Sequence, residues 1–328
     1  MRRFPCPATV SLLCALGLAL GCRTPRPDEL GGWTDVPTVE VAAPDAGGEV
    51  PRDPTRARLA TYNVHRLFDA VCDSGRCAPG DFEALPSPAQ FEAQAERVAR
   101  AIALLDADVV CLQEVENQAA LDRVHAHLGS AFPTAVMGET GAPASVDVAL
   151  VARDPVLEVV RHRAARLQRP DGSPTLFARE LLEVHLDHGG RRVVVLCAHF
   201  RSMVNDDPGR RVAEAEGARV RVEAAAMAHP DAVVALAGDL NDDPGSPPLD
   251  ALEAQGGLVR ATLGRDPADV ATYVYQGVPR MLDHILFAPG AAGRPVPGTV
   301  QVHWDRWHQT GWGRSDHAAL SVVVTWGG

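Results

Sequence analysis

Short apolar blocks broken by polar ends run through most of the chain, and they predict its elements. Arg58-Leu59-Ala60-Thr61-Tyr62-Asn63-Val64 predicts a strand with Asn63 near its end. Ser87-Pro88 opens a predicted helix over 89–105, in which Phe91, Ala95, Val98, Ile102 and Leu105 follow helical spacing. Asp108-Val109-Val110-Cys111-Leu112-Gln113-Glu114 predicts a hydrophobic strand that ends in acid, and Asn117 caps a helix reaching about Leu128. Apolar runs follow at 131–137, 146–152, 176–186 and 193–200. A long helix over about 209–228 precedes Ala232-Val233-Val234-Ala235-Leu236, a run short enough for a strand buried on both faces. Runs at 281–287 and 318–325 complete the pattern, without repeats. Many strands with interspersed helices predict an α+β chain of two stacked sheets flanked by helices, not a doubly wound parallel sheet.

The N-terminus follows a different pattern. Arg2-Arg3, an apolar stretch from Val10 to Leu20 and then Gly21-Cys22 read as a secretory signal, too short to span a bilayer. Leu18-Ala19-Leu20-Gly21-Cys22 resembles a bacterial lipobox, which makes Cys22 the expected lipidation site; plain secretion is the alternative. The expected organisation is a signal peptide over 1–21, a Pro/Gly-rich tether over 22–56 and a folded domain over 57–328. The expected location is the cell envelope, with a lipid anchor as the sole membrane attachment, or the exterior. No protein partner is implied.

Composition adds little beyond size and sign. The 328 residues are 46% hydrophobic, enough for one large globular domain or two small ones, and the net charge of −11 provides no global basic field for nucleic acid. All 31 basic residues are Arg, so phosphate contacts would use the bidentate guanidinium fork. Cys111 and Cys197 lie inside apolar runs and read as buried hydrophobes. Cys72 and Cys77 frame a polar loop and read as a local disulfide, in keeping with export; a free-thiol or metal pair is the weaker reading.

The chemistry centres on Ala237-Gly238-Asp239-Leu240-Asn241-Asp242-Asp243-Pro244. If the strand runs through Asn241, Asp239 and Asn241 point the same way and suit holding a water or a phosphate oxygen. A polar turn is the bland reading. A calcium loop fails, because its sixth position is Pro244 and its twelfth is Asp250. A two-metal phosphoesterase element would need a D-x-H and a G-N-H, and the sequence contains neither.

Polar residues recur at the predicted strand ends: Asn63, Glu114, His199, Asp239 with Asn241, Asp283, and Asp316-His317. Singly, each reads as well as a rim, turn or near-core residue. As ordered motifs, Thr61-Tyr62-Asn63, Leu112-Gln113-Glu114, Ala198-His199-Phe200-Arg201-Ser202, Gly238-Asp239-Leu240-Asn241-Asp242 and Ser315-Asp316-His317 resemble the endonuclease/exonuclease/phosphatase superfamily with the DNase I-like fold. Gly238–Pro244 and Tyr273-Val274-Tyr275-Gln276-Gly277 lean toward its bacterial secreted nucleases.

The resemblance implies a four-layer α/β/β/α sandwich and an exported phosphodiesterase working with Mg²⁺, or with Mn²⁺ or Ca²⁺ as substitutes. It implies Glu114 as the main metal carboxylate, Asn63 beside it, and Asp316 adding to the metal site or holding His317. His317 becomes the general base or a stabilising imidazolium, with Asp283 fixing its tautomer. Asp239, oriented with Asn241, is the rival for activating water, and His199 donates to a non-bridging oxygen. Arg179, Arg201 and Ser202 would contact phosphate, with an ion pair to Glu180 the second reading of Arg179. Where the relatives commonly carry Lys after His-Phe, this chain has Arg201 and then Met203. Nucleic acid is the expected substrate, a phospholipid headgroup or inositol phosphate the alternative, and an exported binding protein a third reading. Arg161-His162-Arg163 with Arg166 and Arg169 is either a backbone-tracking edge or a solvated loop. Trp304, Trp307 and Trp312 either stack on bases, form a lipid-facing lip or pack into the domain wall.

Overall fold

The computed structural model describes residues 52–305 and 310–327. The expected signal peptide, Cys22, nearly all of the expected tether and Trp307 lie outside the described residues. Among the described residues, the Arg52 guanidinium pairs with Asp106 and Asp108.

Period-two alternation sends each strand's side chains to two different cores. Along Val109–Val115, Val110 and Leu112 face one core while Val109 and Cys111 face another. Along Arg191–His199, Val194, Leu196 and Ala198 face one side, and Val193, Val195 and Cys197 the opposite side. A strand apolar on both faces must be covered on both, and two stacked sheets with helices outside satisfy that.

The first sheet runs in the order Thr310–Gly311, Gln301–Asp305, Ala319–Trp326, Arg56–Leu67, Val109–Val115, Asp147–Ala152, Thr134–Gly138, with Gly293–Pro295 added on Ala319–Trp326. The second runs Val259–Arg260, Asp283–Phe287, Val233–Asp239, Arg191–His199, Leu182–His188, Val156–Arg161. Helices Pro88–Leu105 and Gln118–Leu128 cover the outer face of the first sheet, and Pro208–Ala228 with Pro247–Glu253 cover the second. This is the expected four-layer α/β/β/α sandwich. Ser87 and Gln90 exchange capping-box bonds at the first helix, and Asn117 caps the second by accepting from Ala120 N at 2.9 Å.

One expectation is corrected in the middle layer. Cys111 and Cys197 are buried as expected, but they are not separate hydrophobes. They form a disulfide that joins the central strands of the two sheets across the inner core. Cys72 and Cys77 form a second, local disulfide.

The pairing pattern brings the motifs to one end of the molecule. Arg56–Leu67 lies parallel to Val109–Val115, and Arg191–His199 parallel to Val233–Asp239. All four deliver their C-terminal ends to the same side. Their antiparallel neighbours Asp283–Phe287 and Ala319–Trp326 deliver their starts there. Asp239 is in register with both His199 and Asp283. Gly238 permits this because a Cβ there would sit 2.0 Å from the Ala198 carbonyl oxygen. The close approach is to the neighbouring strand.

Candidate active site

Where the two sheets end, a cleft of about 750 Å³ opens. Glu114, His199, Asp239, Asn241, Asp316 and His317 line it, with Arg179, Arg201 and Ser202 along one wall.

Its inner end is organised around one oxygen. Asp239 Oδ2 lies 3.1 Å from Asn63 Nδ2, 3.7 Å from His199 Nε2 and 4.0 Å from His317 Nε2. Asp239 Oδ1 accepts from Asn241 N at 2.9 Å. Behind His317, Asp283 Oδ2 holds Nδ1 at 2.8 Å, so the Nε2 edge faces Asp239. Thr272 Oγ1 in turn accepts from Asp283 N at 3.1 Å. Ser315 ties the two sides of the first sheet together, donating to Asn63 O at 2.6 Å and accepting from His317 N at 3.0 Å. Tyr273 packs its ring 4.7 Å from that of His317.

Burial and neighbouring charge set the protonation states. Burial pushes the Asp239 carboxyl up, the carboxylates of Asp283 and Glu114 add to this, and His317 opposes it. Burial disfavours charge on His317, but Asp283 and Asp239 outweigh it and raise its pKa. Burial first, then the charges of Arg179 and His317, hold His199 well below the usual histidine range. The inner end therefore combines an imidazolium, a neutral imidazole and a carboxylate of raised basicity.

The outer end gathers the metal candidates. Glu114 Oε2 accepts from Arg66 N at 2.9 Å, and Oε1 lies 3.4 Å from Asn63 Nδ2. Asn63 Oδ1 accepts from His65 N at 3.0 Å, which fixes the amide with its nitrogen between Glu114 and Asp239. Asn63 thus spaces two carboxylates and does not turn its oxygen toward them. Asp316 pairs with His65 Nδ1 at 2.8 Å, while Asp283 is the residue that holds His317. Glu114 and Asp316 line the same open cleft, and carboxylate oxygens of that kind suit a hard divalent cation. Asp239, Asp283 and His317 also place one ligand atom each within 4.8 Å of one another.

The phosphate candidates are positioned by a residue the motifs missed. Glu214 is fully buried on the helix Pro208–Ala228, and its two oxygens accept from Ala178 N at 2.6 Å and Arg201 N at 2.7 Å. Those bonds set the two chain segments that carry Arg179 and Arg201. Arg179 makes no pair with Glu180: it donates to Phe200 O at 3.0 Å and lines the cleft, while Glu180 accepts from His162 N and Arg163 N. The apolar run at 176–186 is not one strand for this reason, and pairing begins at Leu182.

The strand before the central motif ends at Asp239, so Asn241 does not continue it. Asn241 is left-handed, with φ 54°, and reaches the cleft from a turn, its Nδ2 donating to Phe200 O at 3.2 Å. Arg211 holds that turn through Asp242 at 2.9 Å. The basic run is pinned to the domain body: Arg161 and Arg163 donate to Met137 O and Thr140 O, and neither lines the cleft. Trp304 donates to Ala271 O, and Trp312 packs against the core of the first sheet, so both belong to the domain wall.

Two helix-covered sheets that deliver carboxylates, amides and imidazoles to a common cleft define a class, the phosphoester hydrolases that work with a divalent metal. Residues 60–317 match the family model described as the endonuclease/exonuclease/phosphatase family, and the chain belongs to that family. Among solved structures it resembles TDP2 from C. elegans at 16% identity and TM-score 0.58, over 82% of this chain and 75% of that one. It resembles an endonuclease/exonuclease/phosphatase from Beutenbergia cavernae at 17% identity and TM-score 0.57, over 84% and 72%. It also resembles D. rerio TDP2 complexed with single strand DNA product, at 17% identity and TM-score 0.55, over 83% and 99%. No curated protein matches the sequence.

Proposed function

We propose that the chain is an exported, Mg²⁺-dependent endonuclease that hydrolyses DNA or RNA phosphodiesters by in-line attack of water. One observation carries this reading: the Asp239 carboxylate sits within 4.0 Å of both His199 and His317, next to a carboxylate site suited to a cation. A cation bound there would supply Lewis-acid relief of the charge that builds on the phosphate and its leaving group. Glu114 and Asp316 would hold it. Asp239, with its raised basicity, takes the proton of the attacking water, while Asn63 and Asn241 keep its carboxylate in place. His317, kept cationic by Asp283, and neutral His199 donate to non-bridging oxygens as charge grows on them. Arg179, Arg201 and Ser202 steady the phosphate.

The related structure with a single-stranded DNA product supports nucleic acid as the substrate class. Two disulfides, one of them in the inner core, support folding in an oxidising compartment and hence export. A second reading, a phospholipid headgroup diester, draws on the apolar side chains around the cleft. Phe82, Met203, Val204 and Tyr275 line it and stand 37–73% exposed, and Val274 and Val278 project from the adjoining hairpin. A panel of plasmid, RNA, phosphoinositide and sphingomyelin liposomes at fixed Mg²⁺ decides between them. Nicked plasmid with intact liposomes supports the nuclease reading, and headgroup release with intact plasmid replaces it.

A further inference from the structure

We propose that Arg66 is a second phosphate-binding residue, which holds the phosphate next to the scissile one and makes the cleft a site for a nucleic acid strand, not for an isolated diester. The inference rests on the hydrolase reading above and narrows its substrate to a chain with consecutive phosphates. Arg66 belongs to none of the strand-end motifs.

The position of Arg66 comes from an irregularity in the strand Arg56–Leu67. Pairing with Val109–Val115 shifts register between Asn63 and Leu67. His65 and Arg66 both adopt left-handed backbone there, with φ 57° and 48°, which non-glycine residues rarely do. Arg66 N donates to Glu114 Oε2 at 2.9 Å, so its main chain anchors the turn while its side chain lines the cleft. The guanidinium lies over the Phe82 ring, with Cζ 4.9 Å from the centroid. Among the described residues it makes no hydrogen bond or ion pair. Its donors remain open for a phosphate, which the fork meets bidentately.

Phe82 is itself held in place. Its ring meets that of Phe68 edge-on at 5.9 Å, and the next residue, Glu83, is buried and accepts from Asp73 N and Ser74 N. The Cys72–Cys77 disulfide closes the loop between them. The ring still stands 52% exposed, at the cleft and beside the guanidinium. A cation next to a half-exposed aromatic ring matches a nucleic acid strand, in which phosphates alternate with bases that stack on such rings. The two walls of the cleft agree with this. Arg66 comes from the first sheet, whereas Arg179 and Arg201 lie on segments that lead into and out of strands of the second. Arginines on both walls of one cleft suit two phosphates in succession, and a single diester would engage only one wall.

Steady-state cleavage of a dinucleotide, which has one phosphate, and of a single-stranded decanucleotide tests this, each made as DNA and as RNA. Wild type, Arg66→Ala and Arg66→Lys are compared at several salt concentrations. Wild type should favour the longer strand, and in Arg66→Ala the ratio of kcat/KM between the two lengths should fall about tenfold or more. The salt dependence on the longer strand should also become less steep, by about 0.7 in the log–log slope, as one lost contact to a single strand requires. Arg66→Lys should recover much of that slope, because it restores the charge without the fork. Equal loss on both lengths, or an unchanged slope, overturns the second phosphate site and leaves the hydrolase reading standing. An effect confined to a phosphoinositide assayed in parallel overturns it as well. Failure of wild type to cleave any of these substrates would remove both.

Discussion

Asp283 accepts a hydrogen bond from His317 Nδ1 at 2.8 Å, and both side chains are buried beneath the cleft. The carboxylate fixes which nitrogen faces Asp239 and stabilises the charged ring. Asp283→Asn would remove the countercharge and let the amide impose the other tautomer. We expect kcat to fall roughly 10³–10⁴-fold with KM nearly unchanged, as when the carboxylate supporting a catalytic histidine becomes an amide. Because Asp283 is part of what raises the His317 pKa, the alkaline limb of the pH–rate profile should also move to lower pH. Steady-state kinetics on a chromogenic phosphodiester across pH measure both effects, and an unshifted limb would separate His317 from that limb.

Glu214 acts on the substrate through two arginines that it never touches by side chain. Its oxygens fix Ala178 N and Arg201 N, and its burial raises its own pKa against those bonds. Glu214→Gln keeps the volume but turns one acceptor into a donor facing a backbone N–H. Displacing Arg179 and Arg201 by even about 1 Å should lower kcat/KM roughly 100-fold. Circular dichroism should show the fold intact, and a variant with full kcat/KM would mean that the two arginines do not position phosphate.

The disulfide between the sheets closes a loop of 86 residues. Loop-closure entropy then gives it about 4–5 kcal/mol. The double variant Cys111→Ala/Cys197→Ala should lose about that much in denaturant unfolding and melt about 10 °C lower. Both cysteines are fully buried, so the native protein should resist dithiothreitol at this bond while the exposed Cys72–Cys77 loop reduces first. Mass spectrometry after alkylation gives the order.

His188 predicts how stability depends on pH. Its Nδ1 donates to Asp154 at 2.8 Å and its Nε2 to Arg56 O at 3.0 Å, so both nitrogens carry protons. Burial opposes that charge, but the Asp154 carboxylate prevails and lifts the pKa to about 9. The folded value lies above the unfolded one of about 6.5, so the stabilisation is complete below pH ~6.5 and is lost as pH rises through about 9. The contribution is on the order of 3 kcal/mol. Thermal melts should decline over that window, and His188→Gln should flatten the decline. Equal slopes in both proteins would rule His188 out as its source.

Strand ends and periodicities made most of the architecture legible, because a strand apolar on both faces requires cover on both. The candidate site was legible for a related reason: Asn63, Glu114, His199, Asp239 and Asp283 are polar residues at the ends of hydrophobic runs. What stayed hidden depends on geometry that no local pattern records. Cys111 and Cys197 read alike whether or not they face one another across the inner core. His65 follows a regular strand pattern, and only the left-handed pair at 65–66 brings it to Asp316. Glu214 lies mid-helix among alanines, and its partners are backbone amides of two distant segments. The condition that the strand runs on through Asn241 is not met, because the strand ends at Asp239 and Asn241 sits in a left-handed turn.

The central claim is that His317 and a divalent cation act together in one cleft to cleave phosphodiesters. Plasmid nicking measures this most directly, with wild type and His317→Ala each assayed in Mg²⁺, in Mn²⁺ and in EDTA. The account predicts nicking by wild type with either metal, none in EDTA, and a loss of roughly 10³-fold or more in His317→Ala with both ions. Nicking that continues in EDTA, or a His317→Ala variant as fast as wild type, would contradict it.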